Sequence, residues 1–152
     1  MLPPIWRIDA CMNIAVKAVC HVISDTVRPG PEGMSQRVLR VAFGHDAVDA
    51  EIVNDSVWRL DVRSPAFKTR DSVGVGSPVG KLLAHWAAAE GVTGEGNFAV
   101  VSRIDCGMSF ILDGKIPPMP HHAMTEKELA NLPSSTRVKR ILIFACPGRG
   151  GH

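Results

Sequence analysis

Hydrophobic and polar positions alternate along much of this chain, and one helical repeat interrupts the alternation. In Arg37–Phe43 the apolar residues Leu39, Val41 and Phe43 fall on one side with Arg40 between them, the period-two pattern of a strand packed on one face. Val48–Val53 and Val57–Val62 flank Asn54-Asp55-Ser56, residue types that favour a tight hairpin turn. In the second run Trp58, Leu60 and Val62 face one way while Arg59 and Asp61 face the other, as in an antiparallel strand with a single buried face. Phe98–Ile104 and Met108–Leu112 repeat the hairpin pattern around Asp105-Cys106-Gly107, and Val138–Ala145 reads as a last strand.

The period changes in residues 72–91, SVGVGSPVGKLLAHWAAAEG. Val79, Leu82, Leu83 and Trp86 recur at i, i+3, i+4 and i+7, one face of a helix. Gly74 and Gly76 permit a tight turn before it, Ser77 is a suitable N-cap, Pro78 suits the first helical position, and Gly91 is a stop. The spacing predicts a helix over Pro78–Glu90, followed by a glycine-rich connection from Gly91 to Asn97. Thr125 and Glu128 have the spacing of a capping box, which predicts a helical turn over Thr125–Asn131 after the proline-rich loop IPPMPHH. Ile14–Ile23 fits a strand by its Val and Ile content and a helix by its spacing, and Arg28–Gly33 is a loop by composition.

These elements predict an α+β fold, an antiparallel sheet of about six strands with one helix packed on one face. A single domain is expected over residues 36–146, after a poorly defined segment 1–35 and before a flexible tail 147–152. The second sheet face is expected to carry Arg37, Arg40, Arg59, Lys139 and Arg140 into solvent.

Composition narrows the function classes. With 152 residues, 45% hydrophobic and 21% charged, the chain has the balance of a globular domain with a real core. Aromatic residues are 5% and tyrosine is absent, which argues against a stacking platform for nucleic acid. The net charge of +2 is too small for a strong electrostatic hold on DNA or a membrane. The charge is uneven: six Lys and Arg in residues 115–152 stand against Glu126 and Glu128. No segment has the roughly 18 apolar residues of a membrane span, and Ala10–Ile23 is a poor signal peptide because Lys17 and His21 interrupt it. The expected location is therefore the cytoplasm, or the periplasm and envelope if a leader is missing. Cys11, Cys20, Cys106 and Cys146 form no CxxC pair; they suit either buried thiols or two disulfides, for which three connectivities exist.

Three segments, VWRLDVRSPAFKTRDSVGVGSPVGKLLAHW, GMSFILDG and VKRILIF, resemble a group of uncharacterised bacterial secreted or envelope proteins. The shared elements are Ser64-Pro65-x-Phe67-x-Thr69, the helix start Gly74-x-Gly76-Ser77 and the glycine-led strand Gly107–Asp113, within residues 57–145. The topology is similar to beta-lactamase-inhibitor-like domains and outer-membrane-assembly lipoproteins, and topology alone does not confer function. The resemblance implies an envelope role and no catalytic residues.

Candidate chemistry is sparse. Cys106 or Cys146 with His121 or His122 as base and Asp105 or Asp113 as orienting carboxylate would make a thiol nucleophile, although no cysteine-hydrolase signature surrounds them. His121 and His122, with His45, His85 or His152, are the candidate metal ligands, but adjacent residues on an extended segment point to opposite sides. GVGSPVGK fails as a phosphate loop, because Leu82 follows Gly80-Lys81 and Val75 stands where glycine is needed. Ser64 and Ser109 lack a nucleophile-elbow context. The leading expectation is a non-enzymatic domain without cofactor or metal that binds a protein or envelope component, and not nucleic acid, through sheet edges and the basic last strand. The alternatives are a small hydrolase using Cys106 or Cys146 with His121 or His122, and a purely structural subunit.

Overall fold

The computed structural model describes residues 21–43, 45–69, 71–94, 97–102, 104, 107–113 and 122–144. Among the described residues eight strands form one sheet: β1 (His21–Pro29), β2 (Ser35–Phe43), β3 (Asp46–Val53), β4 (Ser56–Val62), β5 (Ala89–Gly94), β6 (Asn97–Ser102), β7 (Met108–Asp113) and β8 (Arg137–Phe144). The α-helices among the described residues are α1 (Val79–His85) and α2 (Glu126–Ala130), and Pro31–Gly33 forms a 3-10 turn. The protein is thus mainly β with a little helix.

The strand order is β1-β2-β3-β4-β8-β7-β6-β5, and every pairing is antiparallel. Two four-stranded meanders therefore meet along the last strand of each, with Asp61 opposite Leu142 at the seam. The sheet has eight strands rather than about six, and the two additional ones, β1 and β5, are its edges. β1 lies within the segment expected to be poorly defined and includes the residues read as the start of a loop. β5 occupies most of the expected glycine-rich connection.

The hairpin turn at Asn54-Asp55 is as the sequence predicts. Both residues have positive φ, 51° and 63°, which Asn and Asp tolerate better than most side chains. The helix is shorter than its pattern. α1 stops at His85, Trp86 is extended, and Ala88 at φ 55° turns the chain into β5. Gly76 takes the expected positive φ of 91°. Ser77 does not cap the helix: Pro78 occupies the N-cap, and the Ser77 hydroxyl instead accepts a hydrogen bond from the Gly74 amide at 3.0 Å.

One sheet face and both helices enclose the main core. Val41, Val48, Leu60, Val100 and Ile141 point into it from β2, β3, β4, β6 and β8, and Leu82 of α1 and Leu129 of α2 close it. On the opposite face a small apolar cluster of Ala99, Ile111 and Leu142 covers the β6-β7-β8 side. The β2-β3-β4 side of that same face is charged, and it forms the site described next.

The motif residues of the Ser64–Thr69 loop and the Gly74–Ser77 turn have structural partners here. Phe67 is buried and meets Phe43 edge-on at 5.9 Å. The Thr69 hydroxyl accepts from the Val73 amide. The Gly76 amide donates to Val138 O, and the Val138 amide donates to Ser77 O, which ties the start of α1 to β8. Gly74 is held close to Lys68, and a Cβ there would lie 2.7 Å from Phe67 O.

Candidate functional site

The charged side of the sheet is built by the alternation that makes the core. When Ala50, Ile52 and Leu60 point inward, Asp49, Glu51, Arg59 and Asp61 must point to the other face. Register then sets which of them meet. Asp49 lies opposite Asp61, and Glu51 opposite Arg59, across β3 and β4. Arg40 of β2 lies opposite Asp49, so three adjacent strands present ionised groups to one surface.

Arg59 holds Glu51 in a two-pronged ion pair, with Nη2 donating to Oε1 at 3.0 Å and Nε donating to Oε2. Asp61 accepts through Oδ2 from Arg63 Nη2 at 3.0 Å and from Arg140 Nη1 at 3.2 Å. Asp49 is flanked more loosely, by Arg28 at 3.8 Å and Arg40 at 3.7 Å, both beyond hydrogen-bond distance. All three carboxylates are buried: Asp49 is 8% exposed, Glu51 5% and Asp61 4%. The hydrogen bond from Arg63 to Asp61 raises the guanidinium's already high pKa, against the opposing effect of its partial burial. Arg63 and Arg28 stay open to water, at 59% and 43% exposure of the side chain.

A cavity of about 630 Å³ lies over these groups. Arg28 and Gln36 line it from one end, Glu51, Arg59, Asp61 and Arg140 line its middle, and Asn97 lines it from the other. Arg28 belongs to β1 and Asn97 to β6, six strand positions apart, or about 28 Å in a flat sheet. Their sharing one cavity requires the sheet to coil toward its polar face, as twisted sheets do. Two atoms of the cluster are buried without a hydrogen-bond partner, Asp61 Oδ1 and Arg140 Nε, an acceptor and a donor on side chains already joined by Oδ2 and Nη1.

Arg40 and Lys139 are exposed as expected, whereas Arg59 and Arg140 are drawn out of solvent. Of the five cations expected on the second face, Arg40, Arg59 and Arg140 join the charged cluster. Arg37 lies outside it, pairing Asp25 at 2.8 Å across β1 and β2, and Lys139 does not line the cavity. The last strand, expected as a contact surface, runs through the middle of the sheet between β4 and β7, so it offers no free edge. Its Arg140 is largely covered by the ion cluster.

Of the residues singled out for thiol chemistry, Cys106, Cys146, His121 and Asp105 lie outside the described residues, as do Cys11, Cys20 and His152 among the other candidates. His122 is described, and its Nε2 lies 3.2 Å from Glu128 Oε1. Glu128 also closes the capping box of α2, in which the Thr125 hydroxyl accepts from the Glu128 amide. The His122 hydrogen bond, followed by those from Thr125, holds the Glu128 carboxyl below its ordinary value. Asp113 ends β7 opposite Arg137. Among the described residues no three His, Cys, Asp or Glu side chains are grouped to hold a metal ion. A second cleft, of about 150 Å³, lies against α1, lined by Leu82, Trp86, Met108 and Phe110 together with Asp71 and His85.

No family model matches the chain, and no curated protein sequence does. A solved structure that matches is that of the uncharacterized protein yfeY from Escherichia coli. It has 14% sequence identity and a TM-score of 0.57, with 86% of each chain covered. At that identity the likeness is one of fold. Among the described residues no helix is long and apolar enough to cross a membrane.

Proposed function

We propose that this chain is a non-enzymatic binding module for a protein or cell-envelope component, and that the charged cleft over β2, β3 and β4 is its contact site. The observation that carries this reading is the burial of three carboxylates and the guanidiniums of Arg59 and Arg140 beside a cavity of about 630 Å³. Buried ion pairs contribute little net stability compared with apolar packing, because desolvation offsets the attraction. A fold that needed only stability would fill this face as it fills the β6-β7-β8 side, with alanine, isoleucine and leucine. The volume suits a ligand or a protruding group, within the range of ordinary binding clefts. The sequence likeness to secreted and envelope proteins over residues 57–145 supports the same role.

The test is affinity capture from a native bacterial extract, with the wild-type chain compared against a double variant, Arg28→Gln with Arg63→Gln. Both arginines are substantially exposed, and circular dichroism of the double variant checks that it folds. Arg37→Gln, which removes one charge outside the cleft against the two removed inside it, is the control. A partner retained by wild type and Arg37→Gln and lost by the cleft variant supports the reading. Equal retention by all three contradicts it.

A further inference from the structure

The charge and hydrogen-bonding inventory of the cleft narrows what it holds, an inference that rests on its being a binding site. Five guanidiniums, of Arg28, Arg40, Arg59, Arg63 and Arg140, surround the three carboxylates of Asp49, Glu51 and Asp61. Arg40 and Asp49 do not line the cavity and Glu32 does, so the groups that line it, four guanidiniums against Glu32, Glu51 and Asp61, carry one positive charge in excess. The excess lies at the open side, because Arg28 makes no hydrogen bond to Asp49 and Arg63 is mostly exposed. A guanidinium presents donors in a planar fork that matches a carboxylate or a phosphate.

A bare anion does not complete the site. Glu32, Glu51 and Asp61 also line the cavity, and their oxygens accept hydrogen bonds and repel negative charge. Asp61 Oδ1 and Arg140 Nε are buried and unpaired. A hydroxyl group donates and accepts at once, so it is suited to bridge such a pair. Both atoms are closed off by the side chains around them, so a hydroxyl reaches them only when those side chains move.

We infer that the cleft binds a hydroxylated anion, a sugar or polyol bearing a phosphate or carboxylate. The acidic group sits against Arg28 and Arg63, and the hydroxyls sit over Glu51 and Asp61.

Calorimetric titration of the full chain tests this, with glucose 6-phosphate, glucuronate, glucose and inorganic phosphate as probes. At least one of the two acidic sugars is expected to bind saturably, with a Kd of about 1 mM or tighter. Glucose and inorganic phosphate are expected to bind at least about tenfold more weakly. Arg28→Gln and Arg63→Gln are each expected to weaken the acidic sugar about tenfold, the effect of losing one charge-assisted hydrogen bond, while Arg37→Gln leaves it unchanged. Either single variant suffices if the other fails to fold. Inorganic phosphate binding as tightly as the sugar phosphate overturns the inference, as does equal binding by wild type and both cleft variants. Absence of binding by both acidic sugars also overturns it. If the extract partner is nevertheless lost from the double cleft variant, the ligand class is wrong and the binding-module reading stands. If no partner is lost either, both fall.

Discussion

Asp49 and Asp61 face each other across β3 and β4, two buried carboxylates on one side of one sheet. Like charges at directly opposed positions, with Cβ atoms about 5 Å apart, repel and destabilise a strand pair. Here each is flanked by two arginines, Asp49 by Arg28 and Arg40, Asp61 by Arg63 and Arg140. The two halves of this arrangement are not equivalent. The arginines around Asp49 are half-exposed and too distant for hydrogen bonds, whereas those on Asp61 donate to it directly. Asp49→Asn relieves the repulsion and releases two arginines into water, so its stability is expected to stay within about 1 kcal/mol of wild type. Asp61→Asn weakens two hydrogen bonds to charged groups and leaves Arg140 buried, and is expected to cost about 2 kcal/mol or more. Urea denaturation of the two variants checks the difference, and equal losses contradict it.

The Glu51–Arg59 pair is coupled in the same way but more tightly, since both side chains are more than four-fifths buried. Arg59→Met is expected to cost about 3 kcal/mol or more, because Glu51 is left as a buried charge without its main partner. Adding Glu51→Leu is expected to recover much of that loss. A double-mutant cycle measures this, and a second substitution that simply adds its own penalty contradicts the proposed coupling.

Two glycines are expected to respond to alanine with opposite sign. At Gly91 of β5 a Cβ would lie 2.5 Å from the Phe98 ring and 3.0 Å from Leu129 and Met124 side chains. Gly91→Ala is expected to destabilise by about 1–3 kcal/mol, the usual cost of overpacking. At Gly80 of α1 a Cβ would meet nothing within 4 Å. Gly80→Ala is expected to stabilise by about 0.5–1 kcal/mol through helix propensity and the unfolded chain. Thermal unfolding of both variants reads the two signs directly.

Acid sensitivity is expected at the start of α2. Glu128 has a folded pKa below its ordinary 4.5, through its hydrogen bonds with His122 and Thr125. A depressed folded pKa means stability that is complete above the ordinary value and is lost as pH falls through the lower, folded one. Asp25, hydrogen-bonded by Arg37, behaves alike. Glu128→Gln is expected to flatten the fall in stability below pH 4.5, and Thr125→Ala to cost about 1 kcal/mol at neutral pH through loss of the cap. An acid unfolding curve of Glu128→Gln that superimposes on wild type contradicts the first expectation.

The interior of the sheet was legible because the central strands carry apolar residues at alternate positions toward the main core. Leu39 and Val41, Val48 and Ala50, and Leu60 and Val62 alternate cleanly with polar residues. The two edges were not. β1, HVISDTVRP, leaves Val22, Ile23 and Val27 exposed and is bulged between Val22 and Ser24, so its apolar residues do not mark a buried face. β5, AEGVTG, contains two glycines, and Gly91 is there for close approach to Phe98 rather than for a turn. The helix was overextended because Ala87, Ala88 and Ala89 favour helix, and a positive φ at Ala88 overrides that preference.

The cleft was half legible. Arg59 and Asp61 were assigned to the polar face by alternation, but that face was expected to be solvated. What turned it into a site was register and order: the placing of Asp49 opposite Asp61, and of β8 beside β4, which brings Arg140 to Asp61 across 79 residues of sequence. Neither is written in local pattern. The spacing Asp49-x-Glu51 followed by Arg59-x-Asp61-x-Arg63 is the signal that was available, a run of ionised residues at period two on both arms of one hairpin.

The proposed binding site is the cleft over β2, β3 and β4. Amide chemical-shift mapping of the isotopically labelled protein, titrated with the partner captured from native extract, locates the site whatever the partner's identity. Shifts concentrated at Arg28, Gln36, Glu51, Asp61, Arg63 and Asn97 are the expected result. Shifts confined to the outer edges of β1 or β5, or to the cleft against α1 around Trp86 and Phe110, would contradict the account.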